Sequence, residues 1–191
     1  MSSPARRPHG TGREAILRAT VQVVAELGLR GLTFRAVAAR AGVNNTLIAH
    51  YFGTRESLIE AALEWSVERS IGLSHLEEFA TSPTDFVTQL AETLTQDAEL
   101  QAYQYEMILE ARRKDELRGA IRRLYDSYEA TITGSLEAIG ITGLDSSGRR
   151  ALFGAIDGLV LQRVSGNISD EEFRSALERV FGFVQQTASA R

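Results

Sequence analysis

Asn44, Asn45 and Thr46 stand together at the head of a short, largely apolar segment, and they are the side chains of this sequence best suited to recognition. An asparagine amide offers a donor and an acceptor at once, matching the pair that adenine N6 and N7 present in the major groove. The three lie inside TFRAVAARAGVNNTLIAHYFGTRESL, residues 33–58. Thr33 is placed to cap a short helix carrying Phe34, Val37 and Ala38, Gly42 permits a tight turn, and Asn44 can cap a second helix running to about Phe52. This is helix-turn-helix geometry, in which the second helix enters the groove. Phe34, Val37, Ala38 and Ala41 face one way, and Val43, Leu47 and Ile48 can close the same core. Asn44 reads first as a cap, and Asn45 either as a base reader or as its solvated neighbour.

No comparable set points to bond-making chemistry. His9, His50 and His75 are widely spread without metal-ligand spacing, there is no phosphate-binding glycine loop, and acidic pairs fall on periodic surface faces. The expectation is a protein that is not an enzyme and needs no metal or cofactor. The sequence holds no cysteine, which excludes disulfides, iron–sulfur clusters, thiolate zinc sites and a cysteine nucleophile together. Arg6 and Arg7 precede no apolar run, and no stretch approaches the length of a membrane span, so a cytoplasmic protein without a membrane partner is expected.

The net charge of −4 is unevenly divided. Residues 1–56 carry eight arginines against three glutamates, a net +5, while the remainder carries 13 basic and 22 acidic residues, a net −9. Such asymmetry suits an N-terminal segment that meets a polyanion and a remainder that is repelled from it.

Spacings of three and four dominate and no sustained period of two occurs, so the expected fold is all-α with about nine helices. Thr11 and Glu14 form a candidate capping box for the first, whose apolar face runs from Ile16 and Leu17 to Leu27 before a stop at Gly28. Thr54 can cap a long fourth helix, Ser82-Pro83-Thr84-Asp85 opens a fifth, and Ser169 to Glu172 is a capping box for the last. Residues 1–10 are expected to be a flexible basic tail, 11–56 the DNA-binding domain and 57–191 a second, ligand-binding and dimerisation domain.

The matching residues Thr33, Val37, Ala38, Ala41-Gly42-Val43, His50-Tyr51-Phe52 and Arg55-Glu56-Ser57-Leu58, preceded by Ala25-Glu26-Leu27-Gly28 and Gly31, resemble the DNA-binding domain of the tetracycline-repressor (TetR) family. Glu110 to Arg118 and Ala155 to Val160 extend the resemblance more loosely. It implies a three-helix reader followed by a regulatory domain. Thr33 and Arg55 would then sit at helix starts that grip phosphate, with His50 near the backbone, Arg35 among the DNA-binding residues and Asn44, Asn45 and Thr46 toward the bases, while Tyr51 closes the small domain's core and can spare its hydroxyl for a phosphate. Two positions depart from the pattern: Ala49 stands where many members carry an aromatic, and Asn45 where a basic residue is common.

The resemblance further implies a small-molecule effector, held in a pocket whose candidate walls are Trp65, Phe86, Tyr103, Met107, Tyr125, Tyr128 and Phe153. Glu106 and Glu110 could face a cationic ligand, although pairing with Arg113 or Lys114 at helical spacing is the plainer role. A homodimer is expected through the last two helices, with Leu152, Ile156, Gly158 and Leu159 on one and Phe173, Leu177, Val180, Phe181 and Val184 on the other. The implied function is repression at a pseudo-palindromic operator; the alternative is a helical carrier or protein-interaction module whose reader no longer binds DNA.

Overall fold

The computed structural model describes residues 9–73 and 82–189. Among these there are nine helices and no strand: α1 (His9–Gly31), α2 (Phe34–Ala41), α3 (Asn45–Phe52), α4 (Arg55–Leu73), α5 (Pro83–Gln96), α6 (Ala98–Glu110), α7 (Asp115–Ala138), α8 (Ser146–Val164) and α9 (Asp170–Ser189). Residues 1–8 of the expected tail lie outside the described residues. His9 and Gly10 are already helical, so the tail ends earlier than expected and Thr11 is not the first cap of α1.

The remaining start and stop signals act locally, as their chemistry requires. Gly28 breaks α1 at φ 65° and ψ 176°, a conformation that side chains with a Cβ avoid. Thr54 Oγ1 accepts from Ser57 N at 3.1 Å, and Ser82 Oγ accepts from Asp85 N at 3.2 Å with Pro83 in the first turn. Ser169 and Glu172 form the reciprocal box, Ser169 N donating to Glu172 Oε2 at 2.8 Å and Glu172 N to Ser169 Oγ at 3.2 Å.

The chain divides into two compact units. One comprises the residues up to Ser66 together with Ala102–Ala120; the other comprises Val67–Gln101 together with the residues from Ile121 onward. In the first, α1 packs on α2 and α2 on α3 around Ile16, Leu17, Val24, Val37, Ile48, Leu58 and Leu63. Two side chains of α6 fasten it to α4 through backbone carbonyls. The buried Tyr103 hydroxyl donates to Ile59 O at 2.9 Å, and Gln104 Nε2 donates to Ser66 O and Oγ at 3.4 and 3.3 Å. Burial raises the Tyr103 phenol well above its ordinary pKa, so it stays a neutral donor.

In the second unit α9 packs on α8 and α5, with Phe86 and Phe181 edge to face at 5.2 Å. Arg163, whose side chain is 11% exposed, ties this unit together. Its guanidinium donates to Leu94 O (3.4 Å) and Thr95 O (3.2 Å) at the end of α5, to Gln101 Oε1 (3.4 Å) on α6 and to Asp170 (2.6 Å) at the start of α9. The carbonyls of a last helical turn lack intrahelical partners, and a cation there satisfies both their lone pairs and their partial charge.

Five of the residues expected at a dimer surface are placed elsewhere. Leu152, Ile156, Phe173, Leu177 and Phe181 are at most 4% exposed and belong to the chain's own core. The apolar stripe at helical spacing is the side by which α8 and α9 cover their own unit. Gly158, Leu159, Val180 and Val184 remain half-buried, and Leu161 and Phe183, which the pattern did not single out, are 48% and 65% exposed. Glu110 pairs with Arg113 at 3.1 Å, the helix-surface role expected of it.

Candidate nucleic-acid interface

α2 and α3 have eight residues each, too short to persist alone, so their caps and their buried sides must define them. Thr33 Oγ1 accepts from Ala36 N at 3.1 Å. Gly42 closes α2 in the left-handed region (φ 65°, ψ 37°), and Val43 N returns to Ala38 O at 3.1 Å. Asn44 Oδ1 accepts from Thr46 N at 2.9 Å and opens α3. Ile48 and Phe52 are the buried side of α3. Its outward side is then fixed: Asn45, Thr46, Ala49 and His50, spaced to share one face, are all exposed.

Asn44 is a cap whose carbonyl oxygen is engaged by its own helix, whereas Asn45 keeps its amide on the exposed face. Thr33 and Arg35 are exposed at the start of α2, and Tyr51 is half-buried with its ring 5.8 Å from that of His50. Ala49 leaves the centre of the outward face without an aromatic. Arg55 has a different role from the phosphate grip expected of it. Its Nε donates to Leu32 O at 3.0 Å and its Nη2 to Leu29 O at 2.5 Å, so the guanidinium closes the turn between α1 and α2. Leu29 lies in the last turn of α1, where its carbonyl also accepts from Leu32 N at 3.3 Å, and Leu32 lies beyond the helix; the guanidinium adds donors to both carbonyls.

Two features were not read from the sequence. Arg40 on α2 grips Glu26 on α1 with both nitrogens, a two-pronged pair with Nη1 to Oε1 at 2.7 Å and Nη2 to Oε2. That hydrogen bond holds the Glu26 carboxyl below the usual carboxylate range. The Arg13 guanidinium lies over the Phe52 ring, 5.6 Å from its centroid, as a cation–π contact. Neither pair has a short-range signature, since each joins different helices.

The effector candidates fall into both units. Trp65, Tyr103 and Met107 belong to the first, with Tyr103 and Met107 wholly buried. Phe86, Tyr125, Tyr128 and Phe153 belong to the second, where Phe86 is a buried core residue. Tyr125 meets Phe153 edge to face at 5.5 Å, and Tyr128 stacks on Phe153 at 6.3 Å. The Tyr125 hydroxyl is raised above its ordinary pKa, first by burial and then by the charge of Asp157 and a hydrogen bond to it.

Residues 16–62 match the family described as bacterial regulatory proteins, tetR family, and residues 78–182 match the tetracyclin repressor-like C-terminal domain. Over 86 residues the chain is 36% identical to the HTH-type transcriptional repressor Rv3405c of Mycobacterium tuberculosis, covering 43% of this chain and 44% of that protein. The chain spans between a quarter and a half of the length of the curated relatives it matches. A solved TetR-family transcriptional regulator from Rhodococcus sp. superposes with a TM-score of 0.76 at 26% identity, covering 92% of this chain and 97% of that one. The multidrug binding protein EbrR, solved with imidazole, superposes with a TM-score of 0.63 at 28% identity, covering 88% and 93%.

The Glu26–Arg40 pair sets a pH dependence. A carboxyl whose folded pKa is depressed contributes stability above its unfolded value and loses it as the pH falls through the folded one. Glu26→Gln is therefore expected to lower the thermal midpoint modestly at pH 7, and the gap to the parent protein should close as the pH falls below about 4. A gap that persists at low pH would assign the effect to packing and not to charge.

Proposed function

The chain belongs to the tetR family of bacterial regulatory proteins, and from that membership we propose that it is a cytoplasmic repressor, binding a pseudo-palindromic operator as a homodimer and released by a small molecule. The observation that carries the DNA half is α3: a two-turn helix closed behind by Ile48 and Phe52, capped by Asn44, and outwardly polar at Asn45, Thr46 and His50. In this reading residues 11–56 are the reader, with Asn45 and Thr46 toward base edges and Thr33, Arg35, His50 and Tyr51 toward phosphate. The repressor sign draws support from the relative named a repressor. Two readers in a dimer bring the +5 segment to DNA twice, and half-sites about one helical turn (~34 Å) apart suit them.

Residues 57–191 take the regulatory role. The half-buried rings of Tyr125, Tyr128 and Phe153, beside the Asp157 carboxylate, support an effector site there better than the enclosed Phe86 or Tyr103 do. A small-molecule effector is also in keeping with EbrR, a drug-binding protein of similar fold. We take the dimer surface to lie on α8 and α9 among Gly158, Leu159, Val180 and Val184, a reading supported by the exposure of Leu161 and Phe183 on the same two helices.

Selection from random duplexes at moderate salt tests the DNA reading. The expected outcome is one pseudo-palindrome, bound with an affinity that falls steeply as salt rises. Asn45→Ala should relax the base preference at one position per half-site by about 1–3 kcal/mol, and Arg35→Ala should weaken all sequences alike. Recovery of no sequence would favour a carrier or interaction module.

The dimer is tested at Gly158. A Cβ built there meets no heavy atom within 4 Å, so the protomer itself tolerates a larger residue and gains helix propensity. Gly158→Leu should yield a folded monomer by light scattering with poor operator affinity. An unchanged dimer mass would place the interface elsewhere. For the effector site, a compound selected because it releases the operator should need at least tenfold more to do so with Tyr125→Ala, whose affinity for DNA alone stays unchanged. An unaltered response would remove Tyr125 from the site.

A further inference from the structure

The reader unit contains a cleft that DNA binding does not explain. It has a volume of about 560 Å³, within the size range of small-molecule sites, and all of its walls belong to the same compact unit. Leu17 of α1, Leu47 of α3 and Trp65 of α4 give it an apolar interior, and Tyr51 adds an aromatic face. Arg13, Glu14 and His50 are its polar lining residues. Phosphate recognition needs donors and a positive field but no apolar interior, so the backbone of a duplex would leave most of this surface unmatched. A planar ring system would cover it.

The charge of that ring system follows from its neighbours. Glu14 also lines the cleft, but its carboxylate pairs with Arg18 at 3.4 Å. Arg13 lies over Phe52, a contact that orients the guanidinium without neutralising it. Residues 1–56 together carry a net +5. An anion is therefore favoured over a cation. His50 adds a ring N–H donor, or two when protonated.

We propose that this cleft binds a planar aromatic anion, an arene carboxylate or sulfonate, with its rings between Leu17, Leu47 and Trp65 and its acid group toward Arg13 and His50. Because His50 and Tyr51 are both walls of the cleft and residues of α3, an occupied cleft excludes the duplex. That exclusion rests on the reading of α3 as the DNA-facing helix; the binding itself does not.

Trp65 is the only tryptophan of the chain, so its emission reports on this cleft. Titration with 1-anilinonaphthalene-8-sulfonate should quench it saturably, with one probe per chain. The neutral analogue N-phenyl-1-naphthylamine should bind at least tenfold more weakly. Arg13→Gln should raise the Kd of the sulfonate at least tenfold, and Leu47→Phe, which narrows the apolar lining and keeps the charge, should do the same. Tyr125→Ala should leave it unchanged. A selected operator duplex should raise the apparent Kd in proportion to its concentration. Quenching that does not saturate, equal binding of the neutral analogue, or indifference to both cleft substitutions would overturn the site. Binding that passes these tests but ignores the duplex would overturn the exclusion. If no duplex can be selected at all, the DNA reading fails while the titration still decides the site.

Discussion

An eight-residue helix cannot hold itself together in water, and the reader depends on how that constraint is met. Ile48 and Phe52 are inserted into the core of the first unit, and their insertion determines which side of α3 looks outward. A rotation by one residue would carry Asn45 and Ala49 off the exposed face and bring Leu47 and Tyr51 onto it. The same insertion explains why α1 is tied to α2 and α3 by several independent means. Arg55 closes the turn between α1 and α2, Arg40 holds Glu26 across them, and Arg13 covers the ring of Phe52 from outside. Each contact is modest alone, since exposed ion pairs contribute little, but all of them resist the motion that would free α3 from its support.

The second unit meets a different constraint. Its helices are long enough to persist once packed, but their ends bring unpartnered carbonyls into the interior. Arg163 meets that demand at the end of α5, and its remaining donors reach Gln101 and Asp170. Among the described residues no buried side-chain nitrogen or oxygen lacks a partner. A side chain that satisfies carbonyls on one helix and a side chain on another fixes their register more sharply than apolar contact does, because hydrogen bonds fail over fractions of an ångström.

What could be read from the sequence follows the range of each interaction. The caps at Thr33, Asn44, Thr54, Ser82 and Ser169 were legible because each joins residues two or three apart. The turn at Gly42 was legible because few residues other than glycine accept its φ. The bonds of Arg55 to Leu32 O and Leu29 O have no such signature, because those acceptors lie 23 and 26 residues away in the sequence. Leu152, Ile156, Phe173, Leu177 and Phe181 were assigned to a partner because hydropathy records that a face is covered and not by which chain. The aromatic candidates had the same difficulty. Tyr103 and Tyr125 are alike in periodicity, yet one gives its hydroxyl to a backbone carbonyl in a closed core and the other to a carboxylate on a half-open face.

Two routes of control differ in what they require of the chain. An effector held, as proposed, by Tyr125 and Phe153 would lie far from α3 in sequence, and it would favour release only by preferring an arrangement in which the reader is displaced. α6 contributes to both units: Gln101 is bonded to Leu94 and Arg163 in the second, and Tyr103, two residues later on the same helix, is bonded to Ile59 in the first. A ligand in the cleft beside Leu47, His50 and Tyr51 needs no such preference. Its effect is competition for the same side chains, and its strength is set by its own affinity and concentration and not by the balance between two conformations. The two routes would therefore combine without sharing a mechanism, because the first depends on a balance between conformations and the second only on occupancy of the cleft.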